Sequence, residues 1–212
     1  MPIETRRDPR ILAVVHADVI GSRQLADHDA FISSMEATAR ALNELFAAAV
    51  IEPFAFACGD ELQGALGDPA QAPLCIAMMR ETLAPVSLRV SVGIGTVDAI
   101  GGRGFDPYMA ARRGLDALRK GRRLTTYAGA GVAGDVLLNA ICRLVDPLLA
   151  KRTPKQWEAI AAYRRLGQQR AVADELNVTR QSVGDRLAAG NWRPVEDAGT
   201  AIAAYLAYIS SA

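Results

Sequence analysis

The run at residues 11–20, ILAVVHADVI, limits the possible folds of this chain more than any other segment. It is apolar at nearly every position and rich in Val and Ile, so it reads as a strand buried on both faces. It closes on Asp18-Val19-Ile20-Gly21-Ser22, which puts a carboxylate where the strand ends in a glycine turn. A second acidic turn, Cys58-Gly59-Asp60-Glu61-Leu62, lies between the short apolar runs at 54–57 and 62–66, which is a hairpin signal.

Helical spacing fills the gaps between the strands. Phe31, Met35, Ala39, Leu42, Leu45 and Phe46 predict a helix over about 27–50, capped by Asp27 or Asp29. Asp68-Pro69 opens a second helix to about Leu83. Residues 88–97 alternate as a strand, and 101–104 (GGRG) form a loop. Asp106-Pro107 opens a third helix to about Lys120, and Leu124 to Tyr127 forms a last strand. The order β-α-β-β-α-β, then α-β, predicts an α+β fold. Its first part is ferredoxin-like (the palm arrangement, βαββαβ), with a first strand beside a hairpin and helices on one face. That topology sets the end of the first strand next to the hairpin turn, so Asp18 and Asp60 are expected to approach each other.

Two divisions follow. Residues 1–150 form the palm-like part, ending in a connecting helix over 130–150. Residues 151–212 form an all-α helix-turn-helix domain with a C-terminal helix. Charge follows the same division. Residues 151–193 hold nine Lys and Arg against four Asp and Glu, although the whole chain is only +1. A basic excess confined to one segment is the footprint expected of a DNA partner. Three cysteines without paired spacing suit reduced thiols, and two histidines make a His/Cys zinc site improbable. With neither a signal peptide nor a membrane-length apolar stretch, a cytoplasmic location without membrane contact is expected.

Two carboxylates at neighbouring strand ends suit Mg²⁺ or Mn²⁺, because hard cations take oxygen ligands and phosphates complete the shell. Asp18 and Asp60 are the first candidates. Glu61 is a third unless it points the other way. The backbone of Val19, Ile20, Gly21, Ser22 and Arg23 is placed to meet the phosphates of a nucleoside triphosphate, with Gly21 and Gly59 allowing close approach. Arg112 and Arg113 on the third helix are the candidate phosphate-binding side chains. Arg89, Arg119, Lys120, Arg122 and Arg123 read more simply as a solvated surface. His16, on the same side of the strand as Asp18, reads as a hydrogen-bonded core residue. The alternative for both acidic turns is local turn chemistry, since Asp beside Gly is common there.

Asp18-Val19-Ile20-Gly21-Ser22 resembles the first metal motif of class III nucleotide cyclases, and Gly59-Asp60 their second. Cys58-Gly59-Asp60-Glu61-Leu62 is also similar to the GGDEF turn of diguanylate cyclases, and Arg89 to Gly95 (RVSVGIG) to the strand that follows in both families. The whole chain resembles the SatD family of bacterial proteins, which combine these two turns with a C-terminal helix-turn-helix. There are departures from the cyclase pattern: Tyr108 and Met109 stand where those enzymes carry Asn, Cys58 replaces a Gly, and Leu62 replaces a Phe.

Residues 168–187, QQRAVADELNVTRQSVGDRL, carry the helix-turn-helix pattern. Ala173 allows close helix crossing, Asn177 tolerates a left-handed turn, and Thr179 caps the second helix. Val172, Leu176, Val178, Val183 and Leu187 supply the apolar contacts, with Trp157, Ile160 and Tyr163 from the preceding helix. Thr179, Arg180, Gln181, Gly184, Asp185 and Arg186 are expected to face double-stranded DNA. The pattern is similar to region four of sigma factors. Two half-sites would call for a homodimer, and the stripe Ile202, Tyr205, Leu206 and Ile209 on the last helix is the expected interface. The sequence therefore points to a DNA-binding regulatory protein whose cyclase-like palm binds a nucleotide with a divalent metal. The alternatives are an active nucleotide cyclase or nucleotidyltransferase, and a scaffold with neither site functional.

Overall fold

The computed structural model describes residues 11–22, 27–58, 60–96 and 105–211. The loop expected at 101–104 and the candidates Arg23 and Gly59 lie outside the described residues. The elements in chain order are β1 (Ile11–Val19), α1 (His28–Leu45), β2 (Val50–Cys58), β3 (Glu61–Leu66), α2 (Ala72–Leu83), β4 (Leu88–Thr96), α3 (Pro107–Arg119), β5 (Thr125–Ala128) and α4 (Val132–Ala150). They are followed by α5 (Pro154–Leu166), α6 (Gln169–Glu175), α7 (Arg180–Ala189) and α8 (Trp192–Ser210). One five-stranded sheet runs β2-β3-β1-β4-β5. β1 is antiparallel to β3 and β4, β2 is antiparallel to β3, and β5 joins β4 in parallel. The first six elements have the ferredoxin-like order, and α3–β5 adds a fifth strand. The α+β fold with a helical C-terminal part is therefore observed as expected.

β1 sits at the centre because its sequence can be buried on both faces. Its odd residues Ala13, Val15, Ala17 and Val19 join Phe31, Met35 and Leu42 of α1 and Cys75 and Met79 of α2 in the main core. Leu12 and Val14 face the other way, against Ala111 and Tyr108 of α3 and Ala65 of β3. Each fully buried aliphatic side chain contributes about 1.5–3 kcal/mol, so neither face could be left bare. α3 lies very close to the sheet. A Cβ on Gly93 of β4 would collide with the Pro107 carbonyl, and one on Gly114 of α3 with Ser91 Oγ. Asp27 caps α1 by accepting from Ala30 N–H, and Asp106 caps α3.

Side chains occupy backbone groups on both sheet edges, at one residue of β2 and along the whole of β5. On β2, the Asn43 amide bonds both the N–H and C=O of Phe54. On β5, α4 does this along the whole strand. Asp146 accepts from Thr125 N–H, Asn139 bonds both backbone groups of Tyr127, and Asp135 accepts from Gly129 N–H.

α5, α6 and α7 form a separate small core from Ile160, Ala162, Val172, Ala173, Val183 and Leu187, with Tyr163 and Trp192 packed against it. Thr153 and Gln156 make a capping box at the start of α5, and Gly167 ends it in the left-handed region. Asn177 takes positive φ at the turn before α7, as its short polar side chain allows. Two sequence expectations are corrected here. Trp157 does not join this core. It lies under the Arg152 guanidinium, 4.6 Å from its centre. The apolar stripe of α8 is not exposed for a partner either. Ile202 and Leu206 are buried with Leu138 and Cys142 of α4 in the main core, and Tyr205 and Ile209 pack against it. Among the described residues, no helix is long and apolar enough to cross a membrane.

Candidate functional site

The antiparallel register of β1 and β3 places Glu61 directly opposite Asp18. Asp18, on β1 with His16, Val14 and Leu12, shares the face that α3 covers. Asp60 stays in the turn, half-buried, with no ion pair to another described residue. The neighbour of Asp18 is therefore Glu61. β3 begins at Glu61, directly after Asp60, so the strand start decides which carboxylate faces Asp18.

Three arginines converge on this pair. Arg119 Nη2 donates to Asp18 Oδ1 at 2.8 Å and to Glu61 Oε1 at 2.5 Å. Arg89 Nη1 reaches Asp18 Oδ2 at 3.3 Å, and Arg112 Nη1 reaches Glu61 Oε2 at 3.3 Å. Arg112, Asp116 and Arg119 fall on one stripe of α3 at i, i+4, i+7, so the helix period aims both arginines at the strand ends. Asp116 steadies Arg119 at 3.2 Å. Arg119 and Arg89, expected on a solvated surface, are thus drawn into the site. Arg113 is exposed and takes no part.

Burial would raise the Glu61 carboxyl, but hydrogen bonds from Arg119 and His16 outweigh it and hold the group below the usual carboxylate range. Hydrogen bonds from Arg119 to Asp18 and Glu61 raise the guanidinium further above its ordinary value. Burial pushes the His16 imidazole down in spite of Glu61. The ring is then neutral at pH 7, and Nε2–H donates to the ionised Glu61 Oε2 at 2.8 Å. The bare Nδ1 is buried without a partner, as is Oγ of Ser91, which pairs with His16 across β1 and β4.

All four carboxylate oxygens accept from cationic or imidazole donors, and Arg119 stands where a cation bridging Asp18 and Glu61 would sit. So arranged, the donor set does not fit Mg²⁺ or Mn²⁺. Among the described residues, no group of three or more His, Cys, Asp or Glu could hold a metal ion. The turn behind β1 differs from a free phosphate cradle at Ile20, whose N–H is already bonded. Gly21 takes a φ of 76° and Ile20 N–H donates to Ser87 O at 2.9 Å. Val19 points into the main core, while Ile20 and Ser22 are half-buried.

In the helical part, Thr179 caps α7 by accepting from Ser182 N–H at 3.1 Å. Thr179, Arg180, Gln181 and Asp185 are exposed, while Val183 and Leu187 are buried on the opposite side. Gly184 is half-buried near Gln169 of α6. Arg186 turns away from this outward face and pairs with Glu158 of α5 at 3.3 Å. α4 exposes Val132, Val136, Leu137 and Leu144.

No protein-family model matches the chain, and no curated protein matches it significantly. Among solved structures it is similar to the crystal structure of a regulator of polyketide synthase expression from Bifidobacterium adolescentis. That match has 16% identity and a TM-score of 0.32, and covers 98% of this chain and 81% of the other.

Proposed function

We propose that this protein is a DNA-binding regulatory protein that reads duplex DNA through the first turns of α7. The observation that carries this reading is the division of α7 into two faces. Val183 and Leu187 anchor one face in the three-helix core, and the other exposes Thr179, Arg180, Gln181 and Asp185. The leading residues of a recognition helix meet base edges in the major groove, where Arg suits guanine and Gln suits adenine. Arg170 and Arg180 are exposed and in no ion pair among the described residues, which leaves them for phosphates or bases. The turns at Asp18–Ser22 and Gly59–Leu62, joined to a helix-turn-helix, support a place near the SatD family. In this reading the palm is a regulatory body, not a catalyst, because Asp18 and Glu61 are neutralised by arginines. Recognition of two half-sites asks for a homodimer, which would use a surface other than the buried stripe of α8.

Duplex binding measured across a salt series tests the proposal. Affinity should fall steeply as salt rises. Arg180→Ala should cost about 1–3 kcal/mol and relax preference at one base position. Absence of salt-dependent binding, or an Arg180→Ala, Gln181→Ala double variant that binds as the parent does, would overturn it.

A further inference from the structure

A cavity of about 290 Å³ lies between the palm and the helical part, walled by α2, β5, α4, α5 and α8. Its size is at the lower end of small-molecule sites, about 300–1,000 Å³. The wall is mostly apolar, with Leu74, Tyr127, Val145 and Ile202 among its residues, and the exposed Leu74 belongs to the same wall. Three guanidiniums also line it. That of Arg164 is held by Glu81 and Glu196. Those of Arg80 and Arg152 are in no ion pair within 4 Å among the described residues. Arg80 Nη2 donates to the Leu124 carbonyl and to Thr125 Oγ1, and the Asp146 carboxylate is the largest charge acting on it. Arg152 stacks on Trp157 and donates to the carbonyls of Gly190 and Asn191.

Two guanidiniums bonded only to neutral oxygens, in an apolar wall, are in an unfavourable place for charge. Burial pushes both down from their ordinary value, Arg152 to about 10; Arg80 and Arg164 lower Arg152 further against the pull of Glu81 and Glu196, and only the Asp146 carboxylate and the buried Cys142 and Tyr127 act to raise Arg80. An anion entering the cavity would relieve both, and an apolar body would be taken out of water along the rest of the wall.

We propose that this cavity binds a small amphipathic carboxylate, its carboxylate group meeting Arg80 and Arg152 and its apolar body lying against Leu74, Tyr127, Val145 and Ile202. The occupant touches α2, β5 and α4 of the palm together with α8 and Arg152 in the link before α5, so it bears on the joint between the two parts of the chain.

Isothermal calorimetry on the full chain tests this with 1-naphthoate and octanoate as probes and their primary amides as matched controls. The carboxylates should bind at least tenfold more tightly than the amides. Arg152→Gln should remove that preference. Gly199→Leu supplies a variant that keeps the fold. Gly199 lines the cavity, and a Cβ there meets nothing closer than Pro73 Cβ at 3.9 Å, so a larger side chain fills the space and should abolish binding. No binding of either carboxylate at millimolar concentration, amides binding as well as carboxylates, or undiminished binding by Gly199→Leu would each overturn the proposal. The calorimetry reads the small molecule alone, so its outcome is independent of duplex binding.

Discussion

Arg119 bridges Asp18 and Glu61 at the end of the sheet, and Arg164 bridges Glu81 and Glu196 where α5 meets α2 and α8. Both join two carboxylates through one guanidinium, yet they respond to their surroundings in opposite ways. At the sheet end three arginines serve two carboxylates, and the Arg119 side chain is 31% exposed. At the joint one arginine serves two carboxylates, its side chain is 15% exposed, and Glu81 beside it is 5% exposed. Burial raises the Glu81 carboxyl more than Arg164 lowers it, whereas burial at Glu61 is outweighed by Arg119 and His16. The same ion-pair chemistry thus favours ionised Glu61 and disfavours ionised Glu81. The Glu61 and Glu81 side chains are almost equally shielded, at 7% and 5% exposed, so donor supply decides the sign, not the presence of a salt bridge.

The largest effect that could break this comparison is at the joint. Arg164→Ala strands Glu81 in a dry site and should cost about 3–5 kcal/mol, read as a lower urea midpoint with an unchanged slope. A cost no greater than that of an exposed pair would remove the distinction. Arg119→Ala should cost only about 1 kcal/mol, because Arg89, Arg112 and His16 remain and solvent screens part of the loss.

The pH dependence of stability sharpens the contrast with a smaller signal. Glu61 is lowered in the folded state, so its contribution is present above the ordinary glutamate value of 4.5 and is lost as pH falls through the folded value. Glu61→Gln should flatten the acid limb below that point. Glu81 is raised, so the folded state holds its proton longer and loses stability as pH climbs from 4.5 through the folded value. Glu81→Gln should remove that decline. Parallel curves for the two variants would show that the two sites do not differ.

Much of the fold was legible because it rests on periodicity. The doubly buried run of β1, the 3.6-residue spacing of α1 and α3, and Asn177 before the Thr179 cap each follow from local chemistry. The site was harder to read, because it depends on register. Asp60 and Glu61 are neighbours in sequence, but only pairing across β1 and β3 decides which carboxylate faces Asp18. Arg119 looked like surface because its partners lie 101 and 58 residues away. The stripe of α8 is apolar in the sequence and in the fold. What covers it depends on long-range packing, and α4 with the main core takes the place assigned to a partner. Trp157 was misplaced for a similar reason. Helical spacing aligns it with Ile160 and Tyr163, but does not show that Arg152 lies over it.

Asp135, Asn139 and Asp146 make α4 behave as a sixth strand that cannot propagate. The pleated lattice ends in three side chains, and beyond them a helix offers no backbone donors to the next molecule. On the opposite rim Asn43 occupies the N–H and C=O of Phe54, so β2 is blocked at its middle and not along its length. On the β5 side, crowded copies of this protein meet no open strand among the described residues for zipping sheet to sheet. Assembly on that side must be made of helical faces, which can be remodelled without disturbing the strands that hold Asp18 and Glu61.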